Sequence, residues 1–312
     1  MQILVVGAGA IGTWYAAKLA RAHHVTLVTR RPAHAETIRA AGGVRVTGLE
    51  DVHARVDATA QVKAIEPGAL VVLTTKVYDS GDAVRPLAPL IPPDAAILCL
   101  QNGLGGERLV SDEIAGRCAV LRGITNFGVI FVSPGVVTLK SRGDTVVEDS
   151  ARSAELAELF SRCDLAGRVS PDMRREVWTK LIVNCVINPL TAMTGMEVGW
   201  IADARLDRVK QRIIDECVAV AAHEGITFDQ DFVRMLNERY GPSRNLSSMY
   251  QDIANGRRTE IDYMNGAVVE LGRQYDVPCP VNAGLVAIVK ALADVRPGAS
   301  ASSIPPRAAG RL

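Results

Sequence analysis

A glycine-rich turn near the N-terminus constrains the fold more than any other feature of the sequence. The segment Gly7-Ala8-Gly9-Ala10-Ile11-Gly12 follows the apolar run Ile3–Val6 and opens a helical pattern over Ile11–Ala22. In this setting the first glycine permits a tight turn, the second lets a pyrophosphate approach the backbone, and the third allows close helix–strand packing. The turn therefore predicts a dinucleotide site, and the alternative is a glycine-rich turn that binds no ligand.

The rest of the first half repeats the same alternation of strand and helix. Short apolar runs occur over Val25–Thr29, Leu70–Thr74 and Ile97–Leu100, with helix-like stretches between them. Such runs are typical of parallel strands buried on both faces, so the pattern predicts a Rossmann-type doubly wound α/β sheet. From Thr125 to Val147 the sequence is β-rich and broken by turn residues, which predicts antiparallel hairpin strands at the end of this sheet.

Helical patterns replace strands after about residue 168, which predicts a second, all-α domain. The predicted helices are Met173–Met193, Asp203–His223, Asn245–Ala254, Glu260–Tyr275 and Asn282–Ala293. We therefore expect a dinucleotide-binding Rossmann domain over residues 1–168 and an α-helical domain over 169–296. The last residues, 297–312, are rich in Pro, Ala, Gly and Ser, and we expect a mobile tail there.

Composition excludes several classes of partner. The 35 basic and 34 acidic residues leave a net charge of +1, which gives no electrostatic reason to expect nucleic acid or an anionic membrane. The six cysteines are scattered without a CxxC pair, and the five histidines lack metal-ligand spacing, so we predict no metal site. With neither an apolar membrane span nor a signal-peptide pattern, the expected location is the cytoplasm.

The second predicted strand ends in a pair of arginines rather than in the carboxylate of a typical NAD site. Asp or Glu at this place would accept hydrogen bonds from the ribose 2′-OH, but the chain continues as Thr29-Arg30-Arg31-Pro32. Guanidinium groups bind a 2′-phosphate through charge-assisted hydrogen bonds, so we predict NADP(H) as the cofactor. Arg30 is the better candidate because it lies nearer the strand end, and the alternative is that both arginines are solvated loop charges.

Two more polar residues follow predicted strands, at the edge where open α/β sheets bind ligands. Lys76 could approach a cofactor phosphate, and Asn102 could reach the nicotinamide or the substrate. A surface lysine and a turn asparagine are the alternatives, and the strand positions alone do not decide between them.

An apolar helix in the second half carries a polar stripe. Lys180, Asn184 and Asn188 are spaced four residues apart within the run from Trp178 to Leu190, so they lie on one face. Burying amides and an ammonium without partners is unfavourable, and a polar ligand would supply those partners. The alternative is an internal hydrogen-bond network, with the lysine reaching solvent. Pro189 removes one helical N–H, which could free the carbonyl of Cys185.

A third group of polar residues lies further along the chain. Asn245 and Ser248 lie at the start of the predicted helix Asn245–Ala254, and Glu260 follows the helix stop at Gly256. Ser248 could donate a hydroxyl hydrogen bond to a substrate carboxylate, and Glu260 could orient Lys180 or accept a substrate hydroxyl. Helix caps and solvated helix ends are the alternative interpretation of both residues.

Together these motifs make the chain resemble the ketopantoate reductase (2-dehydropantoate 2-reductase) family. The resemblance rests on the GAGAIG turn, Gln101-Asn102-Gly103, the run WTKLIVNCVINPLTA from Trp178, and SSMYQDIANGRRTEID from Ser247. It implies NADPH-dependent reduction of 2-dehydropantoate to (R)-pantoate in pantothenate and coenzyme A biosynthesis. It also implies a cleft between the Rossmann domain and a helical domain like that of 6-phosphogluconate dehydrogenase.

The resemblance also assigns roles to individual residues. Lys180 would be the proton donor, with Glu260 beside it as the second catalytic group. The substrate site would be lined by Asn102, Asn184, Asn188, Asn245 and Ser248. Arg30 and Lys76 would stand near the adenosine phosphate, with Gly7–Gly12 at the pyrophosphate. A reductase of another small 2-keto acid and a non-catalytic NADP-binding sensor remain as alternatives, and both a monomer and a homodimer are open.

Overall fold

The computed structural model describes residues 1–294 and divides the chain into two compact units. The first unit comprises residues 1–179, and the second begins at Lys180. The predicted mobile tail, 297–312, lies outside the described residues. The predicted domain boundary at 168/169 falls inside a strand, Gly167–Ser170, that belongs to the first unit.

An eight-stranded sheet forms the centre of the first unit, in the order β12-β11-β8-β7-β6-β1-β2-β5. Its strands are β1 (Gln2–Val6), β2 (His24–Val28), β5 (Asp57–Thr59), β6 (Leu70–Leu73), β7 (Ala96–Cys99), β8 (Ala119–Thr125), β11 (Thr145–Glu148) and β12 (Gly167–Ser170). All neighbouring strands pair in parallel except β8 and β11, which are antiparallel.

Alternate residues of the central strands enter two separate cores, one on each face of the sheet. In β1, Ile3 and Val5 pack into one core, while Leu4 and Val6 pack into the other. Strands buried on both faces carry continuous apolar runs, so the sequence pattern and the packing have the same cause. The predicted doubly wound α/β fold is confirmed.

The antiparallel strands predicted over Thr125–Val147 at the end of this sheet are confirmed for β11, which pairs antiparallel with β8. The prediction was wrong for the hairpin, which lies elsewhere. Strands β9 (Gly128–Ser133) and β10 (Val136–Ser141) do form an antiparallel hairpin. Its partners are β3 (Val44–Gly48) and β4 (Val52–Ala54), with which it makes a second, four-stranded sheet. Pairing between β10 and β3 joins segments about 90 residues apart, and turn residues within the hairpin carry no information about such a partner.

Five helices among the described residues of the first unit connect or cover these strands. They are α1 (Ala10–Leu19), α2 (Pro32–Ala40), α3 (Ser80–Val84), α4 (Gly106–Glu113) and α5 (Ser153–Arg162). A sixth, α6 (Met173–Thr194), begins in the first unit and continues into the second.

The second unit is helical throughout its described residues, as predicted. Its further helices are α7 (Asp207–His223), α8 (Phe232–Tyr240), α9 (Ser248–Ala254), α10 (Asn265–Gln274) and α11 (Pro280–Asp294). Helix α7 packs against α8, α10 and α11, and its buried residues follow the 3.6-residue period of an amphipathic helix. Helix α8 was not predicted, and the helix expected from Asn245 begins three residues later, at Ser248.

Candidate active site

The glycine-rich turn has the geometry that a phosphate-binding turn needs. Gly7 has a φ of +111°, a conformation that side-chain-bearing residues rarely adopt. The Thr74 hydroxyl donates a hydrogen bond to the Gly7 carbonyl at 2.9 Å and fixes the turn against the end of β6. A Cβ on Gly12 would lie 1.8 Å from that carbonyl, so only glycine lets α1 pack this close to β1.

The turn also fits a cofactor pyrophosphate. Gly9 is the N-cap residue of α1, and it has no side chain with which to cap the helix. A Cβ added at Gly9 would meet no heavy atom within 4 Å, so the space in front of the helix N-terminus is open. Free N–H groups and the positive end of the helix dipole there favour an anion.

Arg30 and Lys76 lie close together beyond the ends of β2 and β6. The Arg30 guanidinium is 75% exposed and lies 3.4 Å from both carboxylate oxygens of Asp79. The Asp79 N–H donates to the Lys76 carbonyl at 3.0 Å, which ties this acid to the half-buried lysine. Arg31 is exposed and serves as the N-cap of α2. Arg30 and the Lys76 backbone thus both contact Asp79, whereas Arg31 lies at the start of α2.

Asn102 sits in a tight loop between β7 and α4. Gly103 and Gly105 have φ values of +80° and +83°, so the backbone turns sharply on the C-terminal side of Asn102. The Arg122 side chain on β8 donates hydrogen bonds to the carbonyls of Gln101 and Gly103, at 3.1 and 2.8 Å. Arg122 was not among the predicted site residues, because a lone arginine in a strand gives no sign of what it contacts.

This edge of the sheet thus collects the sites predicted for the first unit. The turn after β1, Arg30 after β2, Lys76 after β6 and Asn102 after β7 all follow the carboxyl ends of neighbouring parallel strands. Gln101 links two of these places, since its Nε2 donates to the Ser80 hydroxyl at 2.8 Å. Ligands of open α/β sheets bind at this edge.

Helix α6 carries the polar stripe predicted for the second unit. Lys180 is half-buried at the start of this unit, and Asn188 is buried with its amide donating to the Met264 sulfur at 3.3 Å. The Asn184 side-chain nitrogen is buried and has no hydrogen-bond partner within residues 1–294. A thioether is a weak acceptor and an unpaired buried N–H is costly, so the stripe has donors left for a polar ligand.

The internal network considered as an alternative does exist, but it serves the helix backbone. Pro189 cannot donate to the carbonyl of Cys185 four residues earlier. Asn265, fully buried on α10, donates its side-chain N–H to that carbonyl at 3.0 Å and to the Asn282 side chain at 2.9 Å. This network satisfies the carbonyl that the proline freed, and it does not include the Asn184 side-chain nitrogen, which finds no partner among residues 1–294.

The third group of predicted residues lies on segments that contact α6. Ser247 hydrogen-bonds to Thr191 of α6 at 2.7 Å, and its hydroxyl also accepts the N–H of Tyr250 as the N-cap of α9. The cap is therefore Ser247 rather than Ser248, which is the first residue of α9. Glu260 is only 4% exposed, so it is not a solvated helix end. Asn245 accepts the backbone N–H of Leu246 at 3.0 Å.

Two cysteines near these residues are not poised for thiolate chemistry. Burial raises the pKa of the Cys99 thiol, at the end of β7, to about 12. Burial also raises the pKa of Cys185 on α6, and the neighbouring Cys217 thiol adds to that rise. Both thiols therefore stay protonated at neutral pH.

Metal-ligand clusters and membrane-spanning helices are both absent from the described residues. Within residues 1–294, no cluster of three or more His, Cys, Asp or Glu side chains has an arrangement that could hold a metal ion. In the same stretch of chain, no helix combines the length and apolarity needed to cross a membrane.

Sequence comparison identifies relatives over nearly the whole chain. The family described as "Ketopantoate reductase PanE/ApbA" matches residues 3–152, and "Ketopantoate reductase PanE/ApbA C terminal" matches residues 172–293. The 2-dehydropantoate 2-reductase of Pyrococcus horikoshii is 33% identical over 298 residues, covering 93% of this chain and 97% of the relative.

Two solved structures with the fold of this chain are described as different enzymes. The PanE/ApbA family ketopantoate reductase of Ralstonia eutropha JMP134 superposes with a TM-score of 0.84 at 31% identity, covering 94% of this chain and 99% of the other. A D-mandelate dehydrogenase solved with NADH and anilino(oxo)acetate has a TM-score of 0.86 at 27% identity, with the same coverage.

Proposed function

The chain belongs to the ketopantoate reductase family of oxidoreductases, and from that membership we propose that it reduces 2-dehydropantoate to (R)-pantoate with NADPH. This reaction would place the protein in pantothenate and coenzyme A biosynthesis, in the cytoplasm. The observation that carries the proposal is the stripe on α6, where Lys180 shares a face with Asn184, whose buried amide nitrogen has no partner within residues 1–294.

The first unit would bind the cofactor. The Gly7–Gly12 turn would hold the pyrophosphate at the N-terminus of α1, and Arg30 and Lys76 would hold the 2′-phosphate. Exposure of the Arg30 guanidinium supports this role, because it can leave Asp79 for a phosphate without exposing a buried charge. When bound, NADPH supplies the hydride for the reduction.

Residues of the second unit would bind the keto acid and supply the proton. The Lys180 ammonium donates a hydrogen bond to the keto oxygen, which polarises the carbonyl, and then transfers the proton to that oxygen. Donors on Asn184, Asn188, Asn245 and Ser248 would orient the rest of the substrate, with Ser248 toward the carboxylate. The buried Glu260 carboxylate would orient the lysine or accept a substrate hydroxyl.

A second candidate is a reductase of a different 2-keto acid that uses NADH or NADPH. The TM-score of 0.86 to a D-mandelate dehydrogenase solved with NADH supports this reading, because one fold can hold closely related sites of different specificity. Phenylglyoxylate is the 2-keto acid that corresponds to mandelate, so it is the substrate to compare.

Steady-state kinetics would decide between the candidates. We would measure kcat/KM for 2-dehydropantoate and phenylglyoxylate, each with NADPH and with NADH, by nicotinamide absorbance. The proposal expects the highest kcat/KM for 2-dehydropantoate with NADPH. A preference for phenylglyoxylate or for NADH would support the second candidate. Cofactor binding without turnover of either keto acid would instead indicate a non-catalytic sensor.

A further inference from the structure

Arg122 occupies a place in the sheet where an apolar side chain would be expected. Its neighbours on β8, Leu121 and Ile124, are buried and apolar, and Arg122 itself is 5% exposed. Its Nε atom is buried without a hydrogen-bond partner in the described part of the chain. Burying a guanidinium with an unsatisfied donor costs stability, so packing alone does not account for this arginine.

The contacts of Arg122 converge on one short loop. One terminal nitrogen donates to the Gln101 carbonyl at 3.1 Å and to the Gly103 carbonyl at 2.8 Å. The other donates to the Glu107 carboxylate at 3.0 Å, in the first turn of α4. One side chain thus ties the residue before Asn102, the residue after it and the helix that follows.

We propose that Arg122 is a positioning residue that holds the Asn102 loop in the conformation used for catalysis. The proposal rests on the proposed function, in which Asn102 reaches the nicotinamide or the keto acid. Because Arg122 donates hydrogen bonds to the carbonyls on both sides of Asn102, it restrains the backbone that sets the direction of the Asn102 side chain. Lysine cannot replace it fully, since a single ammonium on a flexible stem lacks the planar fork that serves two carbonyls and a carboxylate.

A double-mutant cycle separates this role from a merely structural one. The variants are Arg122→Met, Arg122→Lys and Asn102→Ala, with Arg122→Met also made in the Asn102→Ala background. We expect Arg122→Met to lower kcat/KM for 2-dehydropantoate about tenfold alone, and by less than about twofold once Asn102 is absent. Arg122→Lys should fall between Arg122→Met and the wild type. An equal loss in both backgrounds, or wild-type kinetics in Arg122→Met, would overturn the proposal.

Arg152→Met is the matched control. Arg152 is 21% exposed and also donates to two backbone carbonyls, those of Gly68 at 3.3 Å and Asp94 at 3.4 Å. It contacts none of the residues assigned to the site, so Arg152→Met should lose thermal stability while keeping the wild-type kcat/KM. A drop in kcat/KM as large as that of Arg122→Met would show that loss of any such arginine suffices, and would contradict the proposal.

Hydrogen exchange tests the loop without relying on activity. In the substrate-free protein, amides of residues 101–106 should exchange faster in Arg122→Met than in the wild type, and not in Arg152→Met. Unchanged exchange in Arg122→Met would overturn the positioning role whatever the kinetics. Faster exchange together with a wild-type protein that reduces no keto acid would show that Arg122 restrains the loop, and it would reject the proposed function and the catalytic use of that loop.

Discussion

The glycine-rich turn and helix α6 build their sites in opposite ways. The turn depends on the absence of side chains. A Cβ on Gly12 would lie 1.8 Å from the Gly7 carbonyl oxygen, and a Cβ on Gly9 would enter open space. Helix α6 instead depends on its polar side chains, because Lys180, Asn184 and Asn188 lie in an otherwise apolar stretch. The first region offers backbone N–H groups, and the second offers side-chain donors.

This difference explains how much chemical information each region carries. The steric demands of the turn are the same for any dinucleotide, so the turn identifies a class of cofactor but not a reaction. Polar side chains on an apolar helix face have to be matched by particular partners, so they say more about the ligand. The following variants test whether the turn and α6 contribute differently to stability, binding and catalysis.

The largest effect is expected from Lys180→Ala. Loss of a general acid lowers turnover by about 10²- to 10⁴-fold, and the keto oxygen would lose its proton donor. Steady-state kinetics with 2-dehydropantoate gives the turnover, and fluorescence titration gives the NADPH dissociation constant, which should stay near the wild-type value. Turnover close to that of the wild type would remove the lysine from the reaction.

The second-largest effect is expected from Gly12→Ala, because the added methyl group would clash with the Gly7 carbonyl. The added methyl group would push α1 away from β1, and overpacking of this kind costs about 3 kcal/mol of unfolding free energy. Gly284→Ala is the control, since Gly284 lies in α11 and an added Cβ there meets nothing within 4 Å. Denaturant unfolding measures both variants. Equal stabilities would mean that the close approach at Gly12 does not constrain the fold.

Asn265→Leu tests the network beside the α6 stripe. The variant would leave the buried Cys185 carbonyl without its donor, at a cost of about 2 kcal/mol. Asn255→Leu removes a similar side-chain-to-carbonyl bond at an exposed site and should change the unfolding free energy by less than about 0.5 kcal/mol. Equal losses of unfolding free energy in the two variants would show that burial does not determine how much the Asn265 hydrogen bond stabilises the protein.

The smallest expected effect concerns the choice of cofactor. Arg30→Glu should weaken NADPH binding about tenfold more than NADH binding, because a carboxylate repels a 2′-phosphate and can accept from a 2′-OH. Arg31→Glu is the comparison, and its selectivity should change less. Fluorescence titrations with both nucleotides measure this. Equal losses for NADPH and NADH in Arg30→Glu would contradict the NADP(H) assignment.

Features set by nearby residues could be predicted from the sequence. The turn, the sheet alternation and the α6 stripe all depend on spacing within about ten residues, and the structure contains them. The carbonyl freed by Pro189 was also foreseen. Its donor, Asn265, lies 80 residues further along the chain, and local spacing does not indicate a contact over that distance.

Features set by distant pairing could not be predicted. The β9–β10 hairpin was expected at the edge of the main sheet, but its place is decided by pairing of β10 with β3. Arg122 could not be connected with Asn102, because it acts on backbone carbonyls that any residues would supply. A weak signal was present nonetheless, since an arginine among the apolar residues of a strand requires polar partners.

We propose that the glycine-rich turn and α6 bind different molecules, and one pair of binding measurements tests this directly. In Gly9→Ala and Asn184→Ala we would measure NADPH binding by fluorescence, and pantoate binding to the NADP⁺-saturated protein by calorimetry. We predict that Asn184→Ala weakens pantoate binding about tenfold and leaves NADPH binding unchanged. Gly9→Ala should weaken NADPH binding about tenfold and leave pantoate binding unchanged. Wild-type pantoate affinity in Asn184→Ala would contradict it.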